Sequence, residues 1–530
     1  MQRKHVPFHK TGYFSSLICD YLDEKDELKP FYNRFPHLKN FDAQIKEKET
    51  SFSLDSRKVL TATLKVQYQK IESSSLTKEN IELISSEKTF TITTGHQLNL
   101  FTGPLYFLYK IVSAINLSKE LKLEYPEYNF VPVYWMATED HDFEEINFFN
   151  FKGKKVQWNR KSGGAVGELT NEGLNDVFEV FANELGESQS AKELKQLFKN
   201  AYLNHDNLAD ATRYLANEIF KEFGLVIIDA NDVSLKKLFV PFIEKELFNQ
   251  ASFKAVSNTN SSLPNDYGIQ VNPREINLFY LTKNLRERIV FEDDVYKVLN
   301  TNIVWSKSEI IKHLDEVPER FSPNVIMRPL YQEVILPNLC YIGGGGELAY
   351  WFQLKELFTQ VEIPFPMLLL RNSVLIKTKS QAKKLERLNV SNEDLFLNKH
   401  AFINKKVREI SNIDINFSKQ KDYLRQQFKS LYKLAEETDK TFLGAVKAQE
   451  VKQLKGLDKL EKRLLKAQKK SLSDQISRMT ELQNQLFPNQ SLQERNANFS
   501  EFYLEYGEQL IPKLIENLKP LKGEFLILNL

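Results

Sequence analysis

The chain has 530 residues, 42% of them hydrophobic, so it is long enough for three or four structural units and too apolar to be disordered. Its 72 lysines and arginines nearly cancel 70 acidic residues, which removes any whole-chain case for nucleic acid or an anionic membrane as partner. Two cysteines, Cys19 and Cys340, exclude a disulfide framework, and no run nears the ~20 apolar residues of a membrane span or a signal-peptide core; a soluble cytoplasmic protein is expected.

The first 90 residues read as polar, aromatic-spotted helices. TFTITTG (Thr89 to Gly95) is β-branched and ends in glycine, which predicts a buried strand. PLYFLYKIVSAINLSKELK follows, with proline in its first turn and apolar residues three to four apart, and predicts a helix. FVPVYWMATED predicts a second strand. Strand, helix, strand implies a parallel sheet with a right-handed crossover, so residues 1–150 form the first part of an α/β core. Residues 151–223 break the pattern with a polar hairpin and amphipathic helices and read as a first insertion. GLVIIDAND and its helix return to the core over 224–248. Residues 249–320 read as short strands and turns, a second insertion. Residues 321–376 resume the core as strand, helix, strand, glycine loop and helix, closed by FPMLLLRNSVLI.

Composition then shifts. Over 377–490 the chain reads as helical. Between Ser418 and Leu486 glycine and proline nearly vanish, and Leu454, Leu457, Leu460, Leu464 and Ala467 recur three to four apart. This predicts one long amphipathic helix, paired antiparallel with a helix around Tyr423 to Leu434. Such an arm either packs on its own core or pairs with a second copy as a homodimer. Residues 491–530 end in the apolar GEFLILNL and are expected to dock on the core.

Ligands of open parallel sheets bind beyond the carboxyl ends of the strands, and three polar clusters fall at such ends. The first is Gly95, His96, Gln97, Asn99, Thr102 and Gly103; the second is Glu139, Asp140, His141 and Asp142. The third is Gly343, Gly344, Gly345 and Gly346, followed by Glu347 and a helix. Glycines before a helix let backbone N–H groups approach a phosphate, although this run is neither a dinucleotide fingerprint nor a Walker loop, and a plain flexible turn fits it too. His96 can donate to an oxyanion as charge develops, or can simply cap the turn. Acidic neighbours favour an imidazolium at His141. The same histidines and carboxylates are competent metal ligands, and the EDHD stretch also fits an acidic helix cap. Arg328 and Arg371 stand in apolar runs, where each needs a partner. That partner is Glu333 or Glu347 in a structural reading, or a ligand carboxylate or phosphate in a functional one, with Gln332 beside Arg328 as a further substrate-binding candidate. Cys340 reads as a small core residue.

Taken in order, TTGHQLNLFTGPLYFLYKI, PVYWMATEDHDFEEIN, SPNVIMRPLYQEVILPNLCYIGGGGELAYWFQLK and IPFPMLLLRNS resemble the bacillithiol biosynthesis cysteine-adding enzyme family over essentially the whole chain. The resemblance implies a Rossmann-like core of the nucleotidyltransferase and class I synthetase kind, with two connecting-peptide insertions and a coiled-coil domain that makes a homodimer. It implies a ligase that joins cysteine, through its carboxyl group, to the amine of glucosaminyl-malate, with no metal. A carboxylate acylates an amine at neutral pH only after activation, so ATP is the implied cosubstrate. TTGHQ matches half of a synthetase His-x-Gly-His element, lacking its first histidine, and no Lys-Met-Ser-Lys-Ser loop is evident. On this reading His96 and His141 stabilise negative charge, and Glu139 or Asp142 takes the amine proton. Gln97, Asn99, Thr102, Gly103, Asp140, Arg328 and Gln332 bind substrate, and Gly343 to Gly346 with Glu347 meet a phosphate or carboxylate. Two rival readings are a metal-dependent hydrolase built on His96, Asp140, His141 and Asp142, and a catalytically inert coiled-coil scaffold.

Overall fold

The structure is a computed structural model, described here for residues 3–438 and 440–530. Five strands form its central sheet: Thr89–His96, Asn129–Met136, Val226–Asp229, Asn338–Gly343 and Met367–Leu370. Every adjacent pair is parallel. Thr89–His96 is buried at all of its positions, as a strand covered on both faces must be. Alternate residues enter different cores: Cys340 and Ile342 join one hydrophobic cluster and Tyr341 the other, and Met367 and Leu369 part from Leu368 and Leu370 in the same way.

The spatial order runs Met367–Leu370, Asn338–Gly343, Thr89–His96, Asn129–Met136, Val226–Asp229. Counted along the chain, these core strands lie 5-4-1-2-3, the doubly wound Rossmann order. Strand order reverses between Thr89–His96 and Asn338–Gly343, and that switch point fixes where a ligand crevice opens. The helix Tyr106–Glu124 packs along these strands, buried through most of its length.

The second insertion is an antiparallel sheet in the order Val304–Trp305, Val295–Val298, Leu285–Glu292, Leu278–Thr282, Phe321–Pro323. Its last strand lies beyond residue 320, so the sheet borrows from the segment read as returning core. Two helices there, Ala251–Ser262 and Lys307–Glu316, correct the expectation of strands and turns alone. Ala251–Ser262 buries Ser252, Ala255, Val256 and Thr259, a helical spacing carried by residues too small and polar to stand out as an apolar stripe. Lys307–Glu316 starts on a Ser306–Glu309 capping box but buries only Ile310 and Leu314.

The expected single long helix is two, Lys440–Ser471 and Ser473–Leu486, with Leu472 between them. Ser418–Glu436 packs on the first. Met479, Leu482 and Leu486 seat the second, while Leu460 stays 52% exposed. The tail forms a strand, Glu524–Asn529, antiparallel to Arg3–Pro7 and parallel to Val374–Lys377. Among the described residues no helix is long and apolar enough to cross a membrane.

Candidate active site

The carboxyl ends of all five core strands line one cavity of about 990 Å³. Gly95 and His96, Trp135 to Thr138, Ala230, Gly344 to Gly346 and Arg371 each come from a different strand end. Arg274, Phe279, Arg286 and Arg288 of the second insertion form another wall, and Arg495 reaches it from the C-terminal segment. The two histidine motifs meet here. Gln97 Nε2 donates to Asp140 Oδ2 at 2.9 Å and to Glu145 Oε2 at 2.8 Å.

His96 is 8% exposed and packed against the rings of Tyr106 and Phe107, 5.5 and 5.0 Å away. Burial first, then the charges of Lys110 and Arg371, push its pKa well below the ordinary 6.5. The Thr102 backbone works the other way, as an acceptor facing the ring would. Nε2 is buried and without a hydrogen-bond partner. A neutral ring carries one donor and one lone pair, so this position can offer an acceptor as well as the donor the sequence suggested.

His141 is half exposed, with Nδ1 2.8 Å from Arg286 Nη1. The same Nδ1 lies 3.7 Å from Asp140 Oδ1, so the ring stands between the guanidinium and the carboxylate. Its acidic neighbours have further partners. Burial alone would raise the Asp140 carboxyl, but hydrogen bonds from His141 and Gln97, with the Arg286 charge, bring it far below the carboxylate range. Glu139 is held at 2.7 Å by the fully buried Lys236. It lines the cavity with this partner behind it. Asp142 is exposed and outside the cavity lining. Among the described residues no group of three or more His, Cys, Asp or Glu side chains could hold a metal. The four residues of the hydrolase reading therefore do not converge.

Asn99, Thr102 and Gly103 also lie outside the lining and build the turn beneath His96. Phe101, Thr102 and Gly103 take φ of 47°, 69° and 61°, a run that only tight external support sustains. A side chain at Gly103 would stand 2.6 Å from the Asn99 Cβ. Of the glycine run, Gly343 belongs to the strand and Gly344 to Gly346 line the cavity. The Gly344 N–H is already taken by Glu347 Oε2 at 2.8 Å. Glu347 also accepts from Tyr341 at 2.7 Å and pairs with Lys110 at 2.5 Å. Burial would raise its carboxyl; Lys110 and these bonds hold it low. Glu347 thus occupies the anion position that the first N–H would offer a ligand.

The two arginines differ. Arg371 pairs with Glu494 at 2.8 Å, both buried, and lies 4.8 Å from the Tyr106 ring centroid. Its partner is neither carboxylate expected from the sequence; Glu333 pairs instead with buried Lys48 at 3.2 Å. Arg328 has no carboxylate partner among the described residues. It donates to Gln332 Oε1 at 3.1 Å and lies 5.7 and 5.6 Å from the ring centroids of Trp135 and Tyr341. Gln332 is fully buried and outside the lining, so it positions Arg328.

Sequence reading missed Lys110, Arg274, Arg286, Arg288 and Arg495. With Arg328 and Arg371 they make seven basic side chains lining the cavity against four carboxyl side chains, Glu139, Asp140, Glu145 and Glu347. Lys110, in the apolar LYFLYKIV, carried the same signal that marked Arg328 and Arg371. A nearly neutral chain has concentrated basic side chains in this crevice, which suits an anionic ligand.

Comparison with known proteins agrees with this architecture. Residues 1–372 match the family model "Bacillithiol biosynthesis BshC, N-terminal Rossmann-like domain", and residues 374–530 match "Bacillithiol biosynthesis BshC, C-terminal coiled-coil domain". A Flavobacterium johnsoniae protein named "Putative cysteine ligase BshC" is 61% identical over 525 residues, covering 99% of each chain. Proteins of that name from Christiangramia forsetii and Bacillus cereus are 58% and 26% identical, covering 99% and 100% of this chain and 98% and 100% of their own. A solved Campylobacter jejuni structure titled as an arginyl-tRNA synthetase overlaps 86% of this chain and all of its own, at TM-score 0.21 and 10% identity, and carries no argument. The doubly wound core, the helical C-terminal region and the match of both halves place this chain in the BshC family of bacillithiol biosynthesis.

Proposed function

We propose that this protein is a cysteine ligase that joins the carboxyl group of cysteine to the amine of glucosaminyl-malate, completing bacillithiol. The observation that carries the reading is the cationic cavity at the switch point, which unites the His96 and Asp140–His141 motifs with the glycine run. An acceptor bearing two carboxylates suits a crevice with cations in excess, and Arg328, lacking a carboxylate partner, is offered to the malyl group. ATP is the proposed cosubstrate. The glycine end fits a phosphate group, because nothing lies within 4 Å of where a Gly346 side chain would stand. ATP would supply activation of the cysteine carboxyl.

The chain's own residues do the rest. His96, held neutral in a dry wall of the cavity, takes the proton from the amine as the C–N bond forms. Gln97 and Asp140 hold the two motifs together, and Arg286 fixes the His141 ring. Lys236 holds Glu139 in place. The helical region is proposed to pair with a second copy, since Tyr423, Leu434 and Leu460 are 66%, 51% and 52% exposed on it.

Reconstitution tests this. Purified protein with cysteine and glucosaminyl-malate should form the thiol product only when ATP is added. AMP release would indicate an acyl adenylate and ADP release an acyl phosphate. No product under any of these conditions would overturn the reading.

A further inference from the structure

The cavity has a contributor from far along the chain. Residues 493–498 are bound to the core almost atom by atom. Gln493 exchanges bonds of 2.9 and 3.0 Å with the Ile376 backbone. Glu494 takes Arg371 and the Val374 N–H, at 2.8 and 2.9 Å. The Ala497 carbonyl accepts from Leu105 N–H at 2.8 Å. Asn498 Nδ2 donates to the Phe101 and Gly103 carbonyls at 2.8 and 2.7 Å. Gln493, Glu494, Ala497 and Asn498 are all buried, yet Arg495 in their midst is exposed and lines the cavity.

Its neighbour sharpens the contrast. Arg371 is neutralised by Glu494 and occupied by the Asn372 carbonyl and Ser373 hydroxyl. Arg495 has no carboxylate partner among the described residues. A guanidinium carried on so firmly anchored a backbone is presented to the cavity that Tyr106 and Gly344 to Gly346 also line, with no carboxylate of its own.

We propose that Arg495 is a substrate-binding cation, so that the C-terminal segment, and not the Rossmann-like core alone, supplies the guanidinium that grips an oxyanion of the substrates. The ligand class is a phosphate or carboxylate, from ATP, the acidic acceptor or cysteine. The inference rests on the ligase reading and adds the segment that completes its site.

Titration calorimetry of the full-length protein tests it, with ATP, glucosaminyl-malate and cysteine as separate titrants. Arg495→Ala should weaken binding of at least one of them roughly 10- to 100-fold, the range of a charge-assisted hydrogen bond. Arg495→Lys should recover part of the loss, and Arg478→Ala, exposed on the Ser473–Leu486 helix, should bind as wild type does. Loss confined to ATP assigns a phosphate, and loss confined to another titrant assigns its carboxylate. In turnover the defect should appear mainly in KM. An Arg495→Ala protein that melts as wild type does and binds every titrant equally tightly overturns the inference alone. A wild type that binds none of the three overturns the ligase reading and the inference with it.

Discussion

At the scale of single residues, His96 is the most informative. Its folded pKa is depressed by burial and by Lys110 and Arg371, whereas an unfolded histidine titrates near 6.5. Below 6.5 the unfolded chain binds a proton that the folded chain refuses, so stability falls as pH drops through that value. Denaturant titration at pH 7.5 and 5.5 should show the wild type losing about 1.4 kcal/mol more than His96→Gln between the two. Equal losses would mean that His96 takes up its proton in the fold as readily as in the unfolded chain. The same depression keeps the ring neutral at acid pH, so wild-type kcat/KM should show no His96 titration near 6.5. His96→Gln should cost roughly 100- to 10,000-fold in kcat with the melting temperature nearly unchanged at pH 7.5, as expected for losing a general base. Residues of this kind were legible as positions before their roles were. TTGHQ and EDHD declared themselves by falling at strand ends. The surroundings of their histidines did not, because only the fold brings Lys110, Arg371 and Arg286 alongside.

At the scale of elements, the strained turn at Phe101 to Gly103 is held from outside. Asn498 satisfies two of its carbonyls and Tyr202 its Phe101 N–H at 2.8 Å. Asn498→Ala should cost about 2–5 kcal/mol by urea titration, the sum of two buried carbonyls stripped of donors. Asn498→Asp should be no better, since a carboxylate faces those oxygens without a proton to give. Loss of stability below about 1 kcal/mol in both would show that the turn holds itself. Glu494→Gln removes the charge that neutralises buried Arg371 and should cost about 3–5 kcal/mol. None of these links is visible in sequence, because almost four hundred positions separate Phe101 from Asn498 and nothing in either stretch names the other. The strands and the helix Tyr106–Glu124 were legible because their apolar periods are local. Ala251–Ser262 was not, because serine, threonine and small residues cover its buried face.

At the scale of the molecule, the helical arm and the core answer to different forces. The Ser418–Glu436 and Lys440–Ser471 pair buries few large side chains against the rest of the protein. A Leu434→Glu, Leu460→Glu variant should shift light-scattering mass from dimer to monomer while the core unfolds at its wild-type temperature. A wild type that is monomeric at tens of micromolar would remove the proposed pairing. The long apolar period of this arm was legible in the sequence; its break at Leu472 was not, since leucine is a good helix former and no glycine or proline marks the place.

The pairing of Arg3–Pro7 with Glu524–Asn529 also bears on synthesis. At about 5–20 residues per second, the first strand waits roughly half a minute to nearly two minutes for its partner to be made. All five strands of the central sheet emerge before that partner does. Throughout the interval Arg3–Pro7 is a free edge, the kind of segment that pairs wrongly with a neighbouring nascent chain. Its composition answers the hazard. Arg3 and Lys4 put charge along it and Pro7 removes a donor, so it resists templating until Glu524–Asn529 arrives to pair with it.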